Sequence, residues 1–147
     1  MNLNLISEQN PKLNQKSLPV ENIKKSFKFG KEMIKFIDKN YPNCIGLSAV
    51  QVGKLSQLFV VRYLGIKKVF INPVIIPYGK EVGMSEGCMS YPHKHIEVIR
   101  QDSVKITYCN GSETVTEDYS GMMARIIQHE YDHLIGCCKV KFGTREV

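Results

Sequence analysis

The 147-residue sequence contains no run of 18 consecutive apolar residues, so no segment is a candidate for a membrane-spanning helix. Its N-terminus lacks a basic start followed by an apolar stretch, and we expect no secretory signal peptide. Internal repeats, low-complexity segments and linkers are also missing. Since 43% of the residues are apolar, we expect one domain, residues 1–147, with its own core.

The cysteines do not form the pattern of a disulfide framework. There are five of them, an odd number, and Cys137 and Cys138 are adjacent. This pattern favours a reducing compartment, and we expect a cytoplasmic protein.

The formal net charge of +6 is spread over the chain. In its most basic stretch, Ile23, Phe27, Ile34 and Ile37 recur at helical spacing, which predicts an amphipathic helix with a solvated outer face of lysines. No nucleic-acid-binding motif accompanies the charge, so we expect no DNA partner. A weak contact with ribosomal RNA remains an alternative. The lysines of the predicted outer face are Lys24, Lys25, Lys28, Lys31, Lys35 and Lys39.

The order of elements predicts an α+β fold, with short antiparallel or mixed β-sheets around a C-terminal helix and an amphipathic helix near the N-terminus. The N-terminal helix should run from Val20 to Lys39 and end before Tyr41-Pro42. The C-terminal helix should run from Gly121 to Ile135, between Ser120 as N-cap and Gly136. Asn110-Gly111 predicts a hairpin turn. Strands are predicted at Gln57–Leu64, Val69–Ile76, His95–Ile99, Val104–Tyr108 and Thr114–Glu117, with a closing strand at Cys137–Phe142.

A metal site is predicted on the C-terminal helix. His129 and His133 are four residues apart and share one helix face, with Glu130 beside them to act on a water bound to the ion. Alone, the pattern also fits two ordinary histidines of an amphipathic helix. Cys88, between a glycine and a turn-forming proline, would complete a shell of three protein ligands with an open fourth position, which is the catalytic arrangement.

A third segment, residues 45–53, is small, apolar and bracketed by glycines, and it contains one amide side chain, Gln51. An amide NH₂ is a neutral donor suited to an oxyanion.

These three segments together resemble the three sequence motifs of the peptide deformylases, in the same order and at similar separations. The resemblance extends from Asn10 to about Phe142. It implies removal of the formyl group from the N-terminal formyl-methionine of new polypeptides, with release of formate. The segments are Gly46–Gly53, Glu86–Ser90 and Gln128–Leu134.

The resemblance also implies roles for single residues. The Gln51 amide and the backbone N–H of Met89 would stabilise the oxyanion, while Glu130 takes a proton from the attacking water and returns it to the amine. One divalent ion would be bound by Cys88, His129 and His133. The working ion implied is Fe²⁺, with Ni²⁺ or Co²⁺ as substitutes, although these donors would also bind Zn²⁺ well.

Met122 and Ile126 continue the helix face of the two histidines. The simplest interpretation is ordinary core, but with Ile45 and Met84 they are also placed to form a pocket for a methionine side chain. A formyl-peptide could then pair as an extended strand with Gly46 and the edge that contains Met84, Glu86 and Gly87.

Glu86, Arg100 and Asp132 are candidates for an ion network that steadies the Cys88 loop, although unrelated solvated charges are an alternative. His93 and His95 fill no open ligand position, and we expect them at the surface rather than on the metal.

The sequence departs from the common family pattern in a few places. Met89 stands where leucine is usual, and Ser48 and Val50 vary the run before Gln51. Because a C-terminal helix is lacking, the chain is expected to be a short, phage-type member, bacterial or active in the host cytoplasm, and a monomer.

Two rival functions are considered. One is an HExxH metallopeptidase, against which Cys88 and the Gln51 segment argue. The other is a non-catalytic metal-binding relative, against which the intact Glu130 and Gln51 argue.

Overall fold

A computed structural model describes residues 2–145. Two α-helices, α1 (Ile23–Asn40) and α2 (Gly121–Leu134), accompany six strands. The strands are β1 (Gly46–Ser48), β2 (Leu58–Tyr63), β3 (Ile66–Cys88), β4 (Tyr91–Cys109), β5 (Thr114–Ser120) and β6 (Thr144–Arg145). Single 3₁₀ turns cover Pro11–Asn14, Ala49–Val52 and Lys139–Phe142.

The strands form an antiparallel sheet in chain order, β1-β2-β3-β4-β5. The β3–β4 hairpin is its longest part, and Cys88 pairs with Tyr91 at the hairpin tip. The short strand β6 pairs with β4 near this tip, at Lys94 and His95. The sheet therefore carries the cysteine of the predicted metal site at one end of a long ribbon.

The two helices pack on opposite faces of the sheet. Side chains of a strand alternate between its two faces, and β2 is buried on both. Val60 packs in one cluster with Met33 of α1, whereas its neighbour Phe59 packs in a second cluster with Ile127 of α2. A third, smaller cluster contains Leu13, Tyr91, Cys138 and Val140. This arrangement fixes α2 between the sheet and the hairpin tip.

Both predicted helices are confirmed within a few residues. α1 begins at Ile23 rather than at Val20, because the Asn22 side chain accepts a hydrogen bond from the Lys25 N–H and caps the helix. Ser120 is the N-cap of α2, but its side chain makes no capping hydrogen bond. In the predicted β4–β5 turn, Gly111 has a φ of 107°. Neither described helix is long and apolar enough to span a membrane.

Two predictions about the strands are wrong. Val69–Ile76 and His95–Ile99 are not separate short strands, because they lie within β3 and β4, whose pairing continues to Cys88 and Tyr91. Register shifts near Pro73, Gly79 and Gly87 accommodate residues that usually end a strand. Cys137–Phe142 is not a closing strand: a 3₁₀ turn occupies Lys139–Phe142, and pairing with β4 begins only at Thr144.

Candidate metal centre and active site

Three elements meet at the candidate site. The tip of the β3–β4 hairpin supplies Cys88, successive turns of α2 supply His129 and His133, and the turn after β1 supplies Gln51. The two imidazole centroids lie 5.3 Å apart, as expected for residues i and i+4 on one helix face. The three predicted sequence segments are thus brought together.

A cluster of four donor atoms fits one metal ion. The donor atoms of Cys88, His129, His133 and Cys138 all lie within 4.8 Å of one another. Cys88 Sγ and His133 Nε2 are 3.3 Å apart. His133 is fully buried, and its Nδ1 has no hydrogen-bond partner within residues 2–145. Thiolate and imidazole are donors that late divalent ions prefer, so the residues suit such an ion.

Glu130 is buried beside this cluster and held by two contacts. Ser48 Oγ lies 2.9 Å from Glu130 Oε1 and 3.0 Å from the Glu130 carbonyl oxygen. A Cβ at Gly46 would lie 2.7 Å from Glu130 Oε2, so glycine is needed for this close approach. Burial raises the pKa of the Glu130 carboxyl, although nearby His129 and His133 and the Ser48 hydroxyl oppose this effect. The carboxyl is therefore fixed in position, and its pKa lies closer to neutral pH than that of an exposed glutamate.

The Gln51 side chain is fully engaged within the site. Its Oε1 accepts a hydrogen bond of 2.8 Å from the Ser48 N–H. Its Nε2 donates to Ser90 Oγ at 2.9 Å and lies 3.6 Å from Cys88 Sγ. The amide therefore lies beside the thiol of the donor cluster, and its oxygen is anchored so that only the NH₂ faces the cluster.

Glu86 is the centre of a buried ion network. Arg100 donates two hydrogen bonds to its carboxylate, of 2.7 and 2.9 Å, and Arg125 donates a third of 2.6 Å. His129 Nδ1 lies 2.9 Å from Glu86 Oε1. Burial alone would raise the pKa of Glu86, but hydrogen bonds from Arg100 and His129 hold it well below the usual value. Because the carboxylate accepts from Nδ1–H, His129 keeps Nε2 available for an ion.

The same network joins the hairpin to α2. Arg100 Nη1 donates to Asp132 Oδ2 at 3.0 Å, which confirms the predicted link among Glu86, Arg100 and Asp132. Arg125 also donates to the carbonyl oxygens of Val82 and Val98, one on each strand of the hairpin. The strand that ends in Cys88 is therefore tied to the helix that bears the histidines.

A cavity of about 400 Å³ opens beside the donor cluster. The seven residues predicted to contact substrate all line it, as do Met89, Gln51, Cys88, His129 and Glu130. Those seven are Ile45, Gly46, Met84, Glu86, Gly87, Met122 and Ile126. Ile126 is almost fully buried, whereas Ile45 and Met84 are about two-fifths exposed, at 42% and 40%. The apolar wall of the cavity is therefore buried at Ile126 and open to solvent at a rim that contains Ile45 and Met84.

His93 and His95 lie on this rim and outside the four-donor cluster. Both are exposed, as the sequence predicts.

Four residues of the site were not found by sequence reasoning: Ser48 as a partner of Glu130, Ser90, Arg125 and Cys138. Arg125 precedes His129 by four residues and therefore lies on the same face of the helix. An arginine on the face that bears the metal ligands could have indicated a buried carboxylate partner. Ser48 and Ser90 give no comparable sign. Cys138 was assigned to a closing strand that does not form.

Comparisons with known proteins agree with this geometry. A family model described as polypeptide deformylase matches residues 3–141. A peptide deformylase of Rickettsia typhi is 36% identical over 154 aligned residues, which cover 94% of this chain and 85% of that protein. A peptide deformylase of Christiangramia forsetii is 40% identical over 111 residues, but the match covers 63% of this chain and spans only 57% of that protein.

Among solved structures, the crystal structure of the peptide deformylase of Thermotoga maritima superposes with a TM-score of 0.89 at 28% identity. It covers 98% of this chain and 99% of that one. Because the family model matches residues 3–141 and the Rickettsia typhi relative aligns over 94% of the chain, the chain belongs to the polypeptide deformylase family.

Proposed function

We propose that this protein is a metal-dependent hydrolase that removes the N-formyl group from formyl-methionyl peptides and releases formate. The observation that carries the proposal is the position of Glu130, which is buried, contacts Ser48, and lines the cavity together with the donors Cys88 and His129. Family membership supports the same activity. We assign the whole described chain to one deformylase-like catalytic domain.

Cys88, His129 and His133 would hold one divalent ion. When bound, the ion would acidify a water molecule and polarise the formyl carbonyl. The resemblance favours Fe²⁺ as the working ion, with Zn²⁺, Ni²⁺ and Co²⁺ as alternatives.

The remaining steps are assigned to side chains of the cavity. Glu130 accepts a proton from the attacking water and later returns it to the departing amine, a role for which a fixed, buried carboxylate is suited. The Gln51 NH₂ and the Met89 backbone N–H stabilise the oxyanion. In the present arrangement the Gln51 NH₂ hydrogens point to Ser90 and Cys88, so one of them must turn to the substrate during turnover.

The apolar wall of the cavity supports methionine as the first residue. Ile45, Met84, Met122 and Ile126 lie on this wall and could surround a flexible thioether side chain. An extended peptide would pair with the chain near Gly46 and along the edge of Met84, Glu86 and Gly87. We place the reaction in the cytoplasm, on nascent chains of a bacterium or a phage-infected host, with weak ribosome contact at most.

The proposal is tested with metal-replete protein on formyl-Met-Ala, with unformylated Met-Ala-Ser as the second substrate. Release of formate from the first and no cleavage of the second is the expected result. Glu130→Gln should keep a stoichiometric metal ion and lose most activity, because the amide cannot accept the proton. Cleavage of the internal peptide bonds of Met-Ala-Ser would instead indicate a metallopeptidase. Metal binding without either reaction would indicate a non-catalytic relative.

A further inference from the structure

Cys138 is a buried thiol that the proposed reaction does not use. It precedes the Lys139–Phe142 turn and is 4% exposed. Backbone hydrogen bonds hold the preceding turn against the end of α2: the Gly136 N–H donates to the His133 carbonyl and the Cys137 N–H to the Asp132 carbonyl. The Cys138 thiol is therefore placed by a fixed turn and not by a mobile tail.

The distances around Cys138 are compatible with a metal ligand. Its sulfur lies within 4.8 Å of the donor atoms of Cys88, His129 and His133. Around one tetrahedral ion, with bonds of about 2.1 Å to nitrogen and 2.3 Å to sulfur, two donors lie about 3.4 to 3.8 Å apart. Cys88 Sγ and His133 Nε2 are already 3.3 Å apart, and the other donors would close on one ion with shifts of about 1 Å.

Cys138 belongs to the donor cluster but does not line the cavity. It packs with Leu13, Tyr91 and Val140 in a small apolar cluster, whereas Cys88, His129 and Glu130 line the cavity. His133 is likewise fully buried. An ion in this cluster would therefore have two buried donors, Cys138 and His133, beside the two donors that line the cavity.

We propose that Cys138 is a fourth protein ligand, so that this chain binds its ion with a Cys₂His₂ donor set. The inference rests on the metal site of the proposed function. A second thiolate strengthens binding of soft-ligand metals such as Zn²⁺ and Co²⁺ and slows loss of the ion. Water and substrate would then have to bind as further ligands from the cavity side, which Glu130 and Gln51 line.

The test counts sulfur ligands in the zinc-loaded, full-length protein, kept reduced with a phosphine. X-ray absorption at the zinc edge should show two sulfurs and two nitrogens in the unmodified protein, and one sulfur in Cys138→Ser. In the cobalt-loaded protein, the thiolate-to-cobalt charge-transfer absorption should fall by about half in Cys138→Ser. Zinc affinity, measured by competition with a chromophoric chelator, should fall by about tenfold or more. Cys137→Ser, the exposed neighbour outside the cluster, should change none of these values.

One sulfur per zinc in the unmodified protein overturns the proposal, and this measurement does not depend on any variant folding. An unchanged sulfur count in Cys138→Ser, with a lowered count in Cys88→Ser, overturns the fourth ligand but leaves the three-ligand site of the proposed function. Unchanged counts in both variants overturn both.

Discussion

Glu86→Gln is expected to cost about 3 to 5 kcal/mol of unfolding free energy, because two buried guanidinium groups lose the carboxylate that they share. Glu86 accepts three hydrogen bonds from Arg100 and Arg125, all of 2.9 Å or less, and a fourth contact from His129. A glutamine keeps one oxygen acceptor but turns an NH₂ group toward a donor. At least two charge-assisted bonds of about 1.5 to 3 kcal/mol each are lost, which gives a similar total.

The measurement is urea unfolding of the metal-free protein at neutral pH. Typical domains have 5 to 15 kcal/mol of stability, so the variant should still fold, with a lowered midpoint. Glu81→Gln is the matched control, since Glu81 is an exposed glutamate on the same strand and should change stability by about 0.5 kcal/mol at most. Equal effects of the two substitutions would refute a stabilising role for the Glu86 network. Zinc release from Glu86→Gln should also be faster, because the network ties the Cys88 strand to α2.

Four further outcomes are expected. Gln51→Ala should lower kcat about a hundredfold with little change in KM, and Met89→Leu should be nearly silent; the reverse pattern in steady-state assays would exchange their roles. Ile126→Ala should reduce the kcat/KM advantage of formyl-methionyl over formyl-aspartyl peptides, set by apolar contacts worth about 2 to 3 kcal/mol, with metal content unchanged. Gly46→Ala should lower kcat by about a hundredfold, because its Cβ would lie 2.7 Å from a carboxylate oxygen of the proposed base; undiminished kcat would show that the base has room to move. Burial raises the pKa of Glu117, but hydrogen bonds from two tyrosines and a lysine lower it below 4.5 overall. Glu117→Gln should therefore destabilise the protein above pH 4.5, by about 1 kcal/mol or less at this partly exposed site. The difference in melting temperature between the two proteins should shrink as pH falls below 4.5.

Helical periodicity predicted both helices, because each buries one continuous stripe against the sheet. The same local reasoning divided the β3–β4 ribbon into short strands and ended the first of them at Ile76, before Pro77 and Gly79. Whether a proline ends a strand depends on which edge it occupies and on bulges in the partner strand, and neither is a local property of sequence. The predicted closing strand at Cys137–Phe142 is wrong for a related reason. Its expected partner, β4, pairs instead with a segment that begins at Thr144, two residues after Phe142.

The site could be predicted where the spacing of residues in the sequence determines which side chains meet. His129 and His133 lie on one helix face, as their spacing requires, and Cys88 joins them as the motif indicated. Contacts made across the fold were not predictable in the same way. Ser48 reaches Glu130 across 82 residues of chain, and Cys138 enters the donor cluster only because the chain turns after α2 instead of extending.

The long hairpin has a consequence for how long an ion stays bound. Residues 76–85 of β3 are all exposed, so this part of the ribbon is held to α2 mainly by polar contacts, the Glu86 network and the bond from Arg125 to the Val82 carbonyl oxygen. Once these bonds break, the end of the ribbon can open locally without unfolding of β2 and the two helices. Each opening would carry Cys88 away from the histidines and expose tip amides to hydrogen exchange at the same moment. The lifetime of the bound ion would then follow the opening rate of the ribbon rather than the strength of any one metal bond.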